Sequence, residues 1–503
     1  MASKAGAAPG GAGAISADDL TALGNAEDYL RVASNICTVY ENVLALSRGV
    51  PVKHVFSFAS ATMPVIAVVL TRGGGPVHLY HGDAAAPFDA AGVARLATLG
   101  GDLRCVAGAP PATHPGGTVL ALEACGPDAC ARADAVVGEG ALFINDPTKV
   151  SPATILTIRK RMACPITTPA AEAALQAFCG QASTADSEEA GVAEVAAYHA
   201  HLQTMSGTPV DTGADPVTCQ AGLPTIATLW LTLEDTGGAN VVMCSTAYGG
   251  SSELTDICMA RGGKITKSTY DIQGDVPMEP SIEAALASLQ ADPSKLLPTT
   301  VRRRFVFASG SCYLMSLHKI ILWEHAAPFS PPPLPPTHTL FPLSAFHRET
   351  WAGAVQVLFV EVPSNPDQKI PDLARIARAL AAHEQASGKR VLVLIDTTFA
   401  PSAQVLAKVR EGSPDLPAMV FLSMSKSVSR GLTTAGGLVA NHTAGARDLV
   451  NASRQTAAFL DVTARRDQLL RLCRNHEGVE DRLEQAYVGC TLNTPRAHVF
   501  FIS

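Results

Sequence analysis

A lysine, an aspartate and several small hydroxyl residues stand at the ends of three apolar runs between Val355 and Asn441. The runs at 355–360, 391–395 and 419–422 are rich in Val, Leu and Phe, and each stops at polar residues: Glu361 to Asn365, Asp396 to Thr398, and Ser423 to Lys426. Short, uniformly apolar runs separated by amphipathic helical stretches predict parallel strands buried on both faces. In open α/β sheets ligands bind beyond the carboxyl ends of the strands. An acid, an amide, hydroxyls and a lysine are therefore expected to converge on one crevice.

That donor set suits pyridoxal phosphate (PLP). A lysine amine forms a Schiff base with the aldehyde, and an aspartate facing the ring nitrogen keeps the pyridinium protonated, so that the ring acts as an electron sink. Hydroxyls just before the lysine can donate to the phosphate. Taken singly, each residue has a plainer reading. An Asp after a strand is ordinarily a helix cap, a Ser-flanked Lys is ordinarily solvated, and an Asn-Pro is ordinarily a turn. Their joint occurrence at three successive strand ends favours the cofactor.

VEVPSNP (360–366), IDTTFAP (395–401) and SMSKSVSRG (423–431) resemble, in that order, the E-x-P-x-N-P, D-N-T-F-x-x-P and S-x-T-K motifs of the Cys/Met-metabolism family of PLP enzymes. That family includes cystathionine synthases and lyases, methionine γ-lyase and the O-acylhomoserine sulfhydrylases. The resemblance implies an α/β fold of the aspartate aminotransferase-like type, in three layers around a mostly parallel central sheet. It also implies roles. Lys426 would hold PLP and shuttle protons at the substrate's α and β carbons. Asp396 would stay ionised beside the pyridinium, Asn365 would bind the ring hydroxyl, and Ser423 and Ser425 would bind phosphate, with Ser425 replacing a threonine. Arg430 either sees the phosphate or forms a surface ion pair.

Two more matches lie upstream. Ala221-Gly222-Leu223 stands where the family has S-G-M-A, a loop opening a helix whose free N–H groups and positive dipole end face the phosphate. Pro224 is tolerated in that first turn, while the hydroxyl lost at Ala221 weakens phosphate binding by ~1–2 kcal/mol. Tyr248-Gly249-Gly250 matches Y-G-G. Alone it reads as a turn; between the phosphate loop and VEVPSNP it places Tyr248 against the ring as a stacking and proton-transfer candidate.

The elements that must position these residues fill most of 503 residues, enough for two or three domains. Residues 1–16, Ala/Gly-rich, are expected to be a disordered tail. Residues 17–190 form an α/β region, 191–445 the PLP-binding large domain, and 446–503 a helical, truncated C-terminal domain. Setting Ala61 against Ala221 aligns Pro64 with Pro224, Ile66 with Ile226 and Ala67 with Ala227, with Gly100-Gly101 falling opposite Gly262-Gly263 after a short gap. The first half is thus a possible degenerate copy of the second, with His81-Gly82-Asp83 in place of Ala247 to Gly250. Residues 141–162 weakly echo VLFVEVPSNP and the helix after it, with Asp146-Pro147 near Asn365-Pro366. No counterpart of SMSK follows, so such a copy is non-catalytic. Residues 300–350, with a PPPLPP tract, interrupt the pattern. They read as an irregular, disordered excursion, either a polyproline ligand or a gene-model artefact. The family's late substrate-carboxylate arginine and its Y-x-R-x-x-N-P-T stretch have no counterpart.

Net charge −7 and 17% charged residues argue against a nucleic-acid surface. Twelve cysteines without CxxC pairs read as thiols in a reducing compartment, with no metal site. No apolar window spans a membrane. The expectation is a cytoplasmic homo-oligomer, dimer or tetramer, acting on a small amino-acid substrate. Its function is β- or γ-elimination or γ-replacement in transsulfuration. The alternative is a PLP-binding relative impaired in catalysis, with an assembly or regulatory role; a weaker third reading is an aminotransferase.

Overall fold

The computed structural model describes residues 34–71, 75–112, 116–138, 140–181, 192–210, 214–260, 263–272, 274, 276–291, 355–364, 368–426, 433–465, 468–469 and 472. The expectations for residues 1–16, 300–350, Asn365 and Arg430 lie outside them.

Two sheets organise the chain. The first holds β1 (Val55–Ser57), β2 (Pro76–Tyr80), β3 (Asp102–Val106), β4 (Thr118–Leu122), β5 (Ala135–Gly138) and β6 (Ala141–Ile144), in the order β1-β6-β5-β4-β2-β3. The second holds β7 (Val217–Cys219), β8 (Ala239–Cys244), β9 (Ile265–Tyr270), β10 (Val355–Glu361), β11 (Val391–Asp396), β12 (Ala418–Ser423) and β13 (Gly436–Ala440), in the order β7-β13-β12-β11-β10-β8-β9. Only β6 runs against its neighbours in the first sheet, and only β13 in the second. The orders are the same with one strand fewer in the first half.

The helices repeat that correspondence. Met63–Thr71 follows β1 as Gly222–Thr236 follows β7, and Pro152–Arg161 follows β6 as Ala444–Phe459 follows β13. Within each half the later of the two helices packs on the earlier one. This corrects the sequence reading of 141–162. An apolar run of four residues has no direction written in it, and β6 turns out to be the reversed strand, in the place of β13 rather than β10. A connection of two residues, with Gly140 at φ 69°, joins β5 to β6, where the second half has the longer link that carries Lys426. The boundary expected at 445/446 also fails: Ala444–Phe459 runs through it and packs back onto the helix Gly222–Thr236.

β10, β11 and β12 are buried at every residue, so both faces of the central sheet are covered, as parallel strands require. Helices Gly222–Thr236 and Ala444–Phe459 pack against β7 and β13. Met278–Ala291, Leu373–Ser387 and Val405–Gly412 form a second group, with contacts to β9, β11 and β12. One contiguous apolar core runs from Phe56 and Leu79 in the first half through Trp230 to Leu394 in the second. Polar contacts cross between the halves as well: Arg161 to Glu253, Thr98 to Asp235 at 2.8 Å, and Arg95 to Thr456 at 2.8 Å.

In the first half Arg159 is buried and paired with Glu41, whose Oε1 also accepts from the Ser57 N–H at 2.9 Å and hydroxyl at 2.7 Å. Removing one partner of a buried ion pair leaves an uncompensated charge. Glu41→Ala is therefore expected to lower stability by about 3–5 kcal/mol in a urea titration.

Candidate functional site

The register of three parallel strands builds the floor. Glu361 of β10 pairs with Asp396 of β11, and Asp396 with Phe421 of β12, so β10 and β11 end level with each other and β12 runs two residues further, to Ser423. A cavity of about 920 Å³ opens there, lined by Glu361, Asp396, Ser423, Ser425, Lys426 and Tyr248 among others. Its size suits a cofactor with a small substrate. Lys426 and Asp396 thus face one space.

Asp396 is buried, and its Oδ1 accepts the Thr398 N–H at 2.9 Å. Burial pushes its carboxyl above the usual carboxylate range, against hydrogen bonds from Thr398 and the charge of Lys426. The ionised form expected from the sequence is therefore favoured by whatever cation faces it and not by the pocket alone. Thr398 Oγ1 also accepts the Ser423 N–H at 2.9 Å, so one threonine fixes both the acid and the hydroxyl. Lys426 Nζ lies 3.4 Å from Ser423 Oγ and 5.4 Å from the centroid of the Tyr248 ring. Because the ammonium donates to Ser423, the serine keeps its own proton to give. Glu361 is buried and accepts the Tyr248 N–H at 2.5 Å, which ties the aromatic loop to β10.

The helix Gly222–Thr236 opens at the cavity with Ala221, Gly222 and Leu223 on its wall. Its N-cap, Ala221, makes no side-chain hydrogen bond and its first turn holds no acid, leaving N–H groups for a ligand. A Cβ on Gly222 would lie 2.8 Å from Ser423 Cβ and 2.9 Å from its Oγ, so only glycine lets the helix approach β12 this closely. Ser425 departs from expectation. Its hydroxyl points its proton at the Ala435 carbonyl (3.4 Å) and accepts the Ala435 N–H (3.2 Å), so it braces the turn after β12 and leaves Ser423 as the nearer anion donor.

Sequence reasoning left several wall residues without a role. Glu361 was visible in VEVPSNP, but its bond to Tyr248 spans 113 positions. Ser251 and Gln220 line the cavity with a buried Oγ and Oε1 that have no hydrogen-bond partner. Arg159, Lys160 and the segment 163–169 reach it from the first half. Orphaned buried polar atoms are costly unless a ligand or water satisfies them.

Among the described residues no cluster of His, Cys, Asp and Glu could hold a metal, and no helix is long and apolar enough to cross a membrane. No family model matches the chain, and no curated protein does. Among solved structures, the chain is similar to a cystathione γ-lyase from Micromonospora echinospora (17% identity, TM-score 0.33, covering 57% of this chain and 51% of that one). It is also similar to a cystathionine γ-synthase from Xanthomonas oryzae pv. oryzae in complex with aminoacrylate and cysteine (16% identity, TM-score 0.33, covering 60% of this chain and 57% of that one). The chain spans about half the length of these structures, and at such TM-scores the likeness bears on nothing further.

Two measurements probe the site. A carboxyl raised on folding holds its proton to higher pH in the native state than in the unfolded chain, whose value is near 3.8. The resulting destabilisation is complete above the folded pKa and vanishes as pH falls to the unfolded one. Ligand-free Asp396→Asn is thus expected to melt a few degrees above wild type at neutral pH, with the gap closing towards pH 4. Gly222→Ala should lose about 1–3 kcal/mol of stability by overpacking against Ser423, and about tenfold in phosphate-ligand affinity.

Proposed function

We propose that the chain is a PLP-dependent enzyme of sulfur amino-acid metabolism, acting by β- or γ-elimination or γ-replacement on cystathionine or O-acylhomoserine-type substrates. The observation that carries this reading is the placing of Lys426 and Asp396 on one cavity beneath an open helix N-terminus. The residues fit the cofactor: a hydroxyl and free N–H groups for phosphate, an acid for the ring nitrogen, and an amine for the aldehyde. Bound PLP supplies an electron sink for carbanions formed beside it.

The chain's own residues do the rest. Ser423 and the first turn of Gly222–Thr236 hold the phosphate by charge-assisted hydrogen bonds. Asp396 holds a proton on the ring nitrogen, and that cation in turn favours the aspartate's ionised form. Tyr248, its loop fixed by Glu361, would stack on the ring. Lys426 Nζ would hold the aldehyde and would serve as the acid/base that moves protons at the substrate's α and β carbons. Asn365 is proposed for the ring hydroxyl on the motif resemblance alone.

Purified protein loaded with PLP is expected to be yellow and to be labelled by borohydride at Lys426. Lys426→Ala should lose the label, and turnover should fall by about four to six orders of magnitude, as loss of a covalent nucleophile does. Incubation with cystathionine or an O-acylhomoserine should yield a keto acid or a thioether. Loaded protein that gives neither product would instead be a binding relative without turnover. Keto acid formed with the γ-substituent retained would indicate transamination.

A further inference from the structure

The cavity has a second open helix N-terminus, and it belongs to the other half of the chain. Helix Thr168–Phe178 begins at the wall with Thr167, Thr168 and Pro169. Its N-cap, Thr167, makes no side-chain hydrogen bond, and its first turn holds no acid. Beside it on the wall stand Lys160 and Arg159. Arg159 is 2% exposed, held by Glu41 through one nitrogen, while its Nε has no hydrogen-bond partner. Two helix N-termini and the Lys160 side chain on one wall can receive anions, while the charge of Arg159 is matched by Glu41. The two positive ends come from opposite halves: Gly222 and Ser423 from the second, Lys160 and Thr168 from the first.

A ligand that satisfies both ends carries two separated anionic groups, and PLP together with an amino acid offers a phosphate and a carboxylate. We infer that Lys160 and the first turn of Thr168–Phe178 form the subsite for the substrate's α-carboxylate. The six-stranded half thereby completes the site within a single chain. This inference rests on the PLP reading above. It gives the first half a function consistent with its topology. That half has the same strand order as the second with one strand fewer, lacks the lysine-bearing link, and shares one core and two ion pairs with it, Arg95 to Asp235 and Arg161 to Glu253.

The test uses full-length, PLP-loaded protein, with binding read from the cofactor's visible absorbance rather than from turnover. L-norleucine probes the carboxylate subsite, and n-pentylamine, the same amine without the carboxylate, is the control. Two variants are compared with wild type: Lys160→Gln, and Thr168→Glu, which puts a negative charge at the cavity while favouring the helix dipole. Both should weaken norleucine binding by about tenfold to a hundredfold and leave pentylamine binding within about twofold. Lys160→Arg should restore most of the loss. Unchanged norleucine affinity in both variants overturns the subsite, as does an equal loss for pentylamine. Wild-type protein that takes up no PLP removes the cofactor reading and this inference with it, whereas loaded protein with unaltered variants removes this inference alone.

Discussion

Everything at the site hangs on the parallel register of β10, β11 and β12. Each strand is short and mostly apolar; β10 and β11 turn polar at the same level, Glu361 beside Asp396, and β12 turns polar two residues beyond Phe421, the neighbour of Asp396, at Ser423. The side-chain repeat of a strand is two residues, so a slip of one in either pairing would send Asp396 to the opposite face. Burial on both faces blocks that slip, since the apolar side chains have nowhere to go but their present positions. Thr398 then carries the register beyond the strands. Its amide holds Asp396 and its hydroxyl holds Ser423, so the acid and the hydroxyl move as one body.

The strand-end cluster was legible in the sequence because each of its members sits within a few residues of an unmistakable apolar run. Lys426, Asp396, Ser423, Gly222 and Tyr248 all come to one cavity, as their positions after predicted strands and before a helix require. What was not legible depends on packing between distant segments. The wall at 159–169 belongs to a half with no strand-end chemistry of its own, and nothing local marks Lys160 or Thr168 as facing Lys426. The misplacement of 141–162 has a related cause. ALFI reads equally well as a parallel or an antiparallel strand, and the direction was set by the two-residue turn before it. Ser425 looked equivalent to Ser423 until the chain's return at Ala435 gave its hydroxyl a backbone partner.

The two halves share a strand order and differ at the link before the reversed strand, which is two residues in the first half and carries Lys426 in the second. The helix Pro152–Arg161 carries Arg159 towards the cavity and Arg161 towards Glu253. The same turn of helix therefore lines the site and joins the halves, which keeps the wall in place as a fixed part of the pocket.

The charges around the cavity are arranged as a mould. Asp396 is held where burial disfavours its charge, and the neighbouring threonine and lysine only partly offset that cost. A cation placed against the carboxyl would favour its ionised form. Beside the helix that opens with Gly222 the need is reversed: Ser423 and the N–H groups of the first turn suit negative charge. A ligand cationic beside Asp396 and anionic beside Ser423 would meet both demands, and that is the charge pattern of the proposed cofactor.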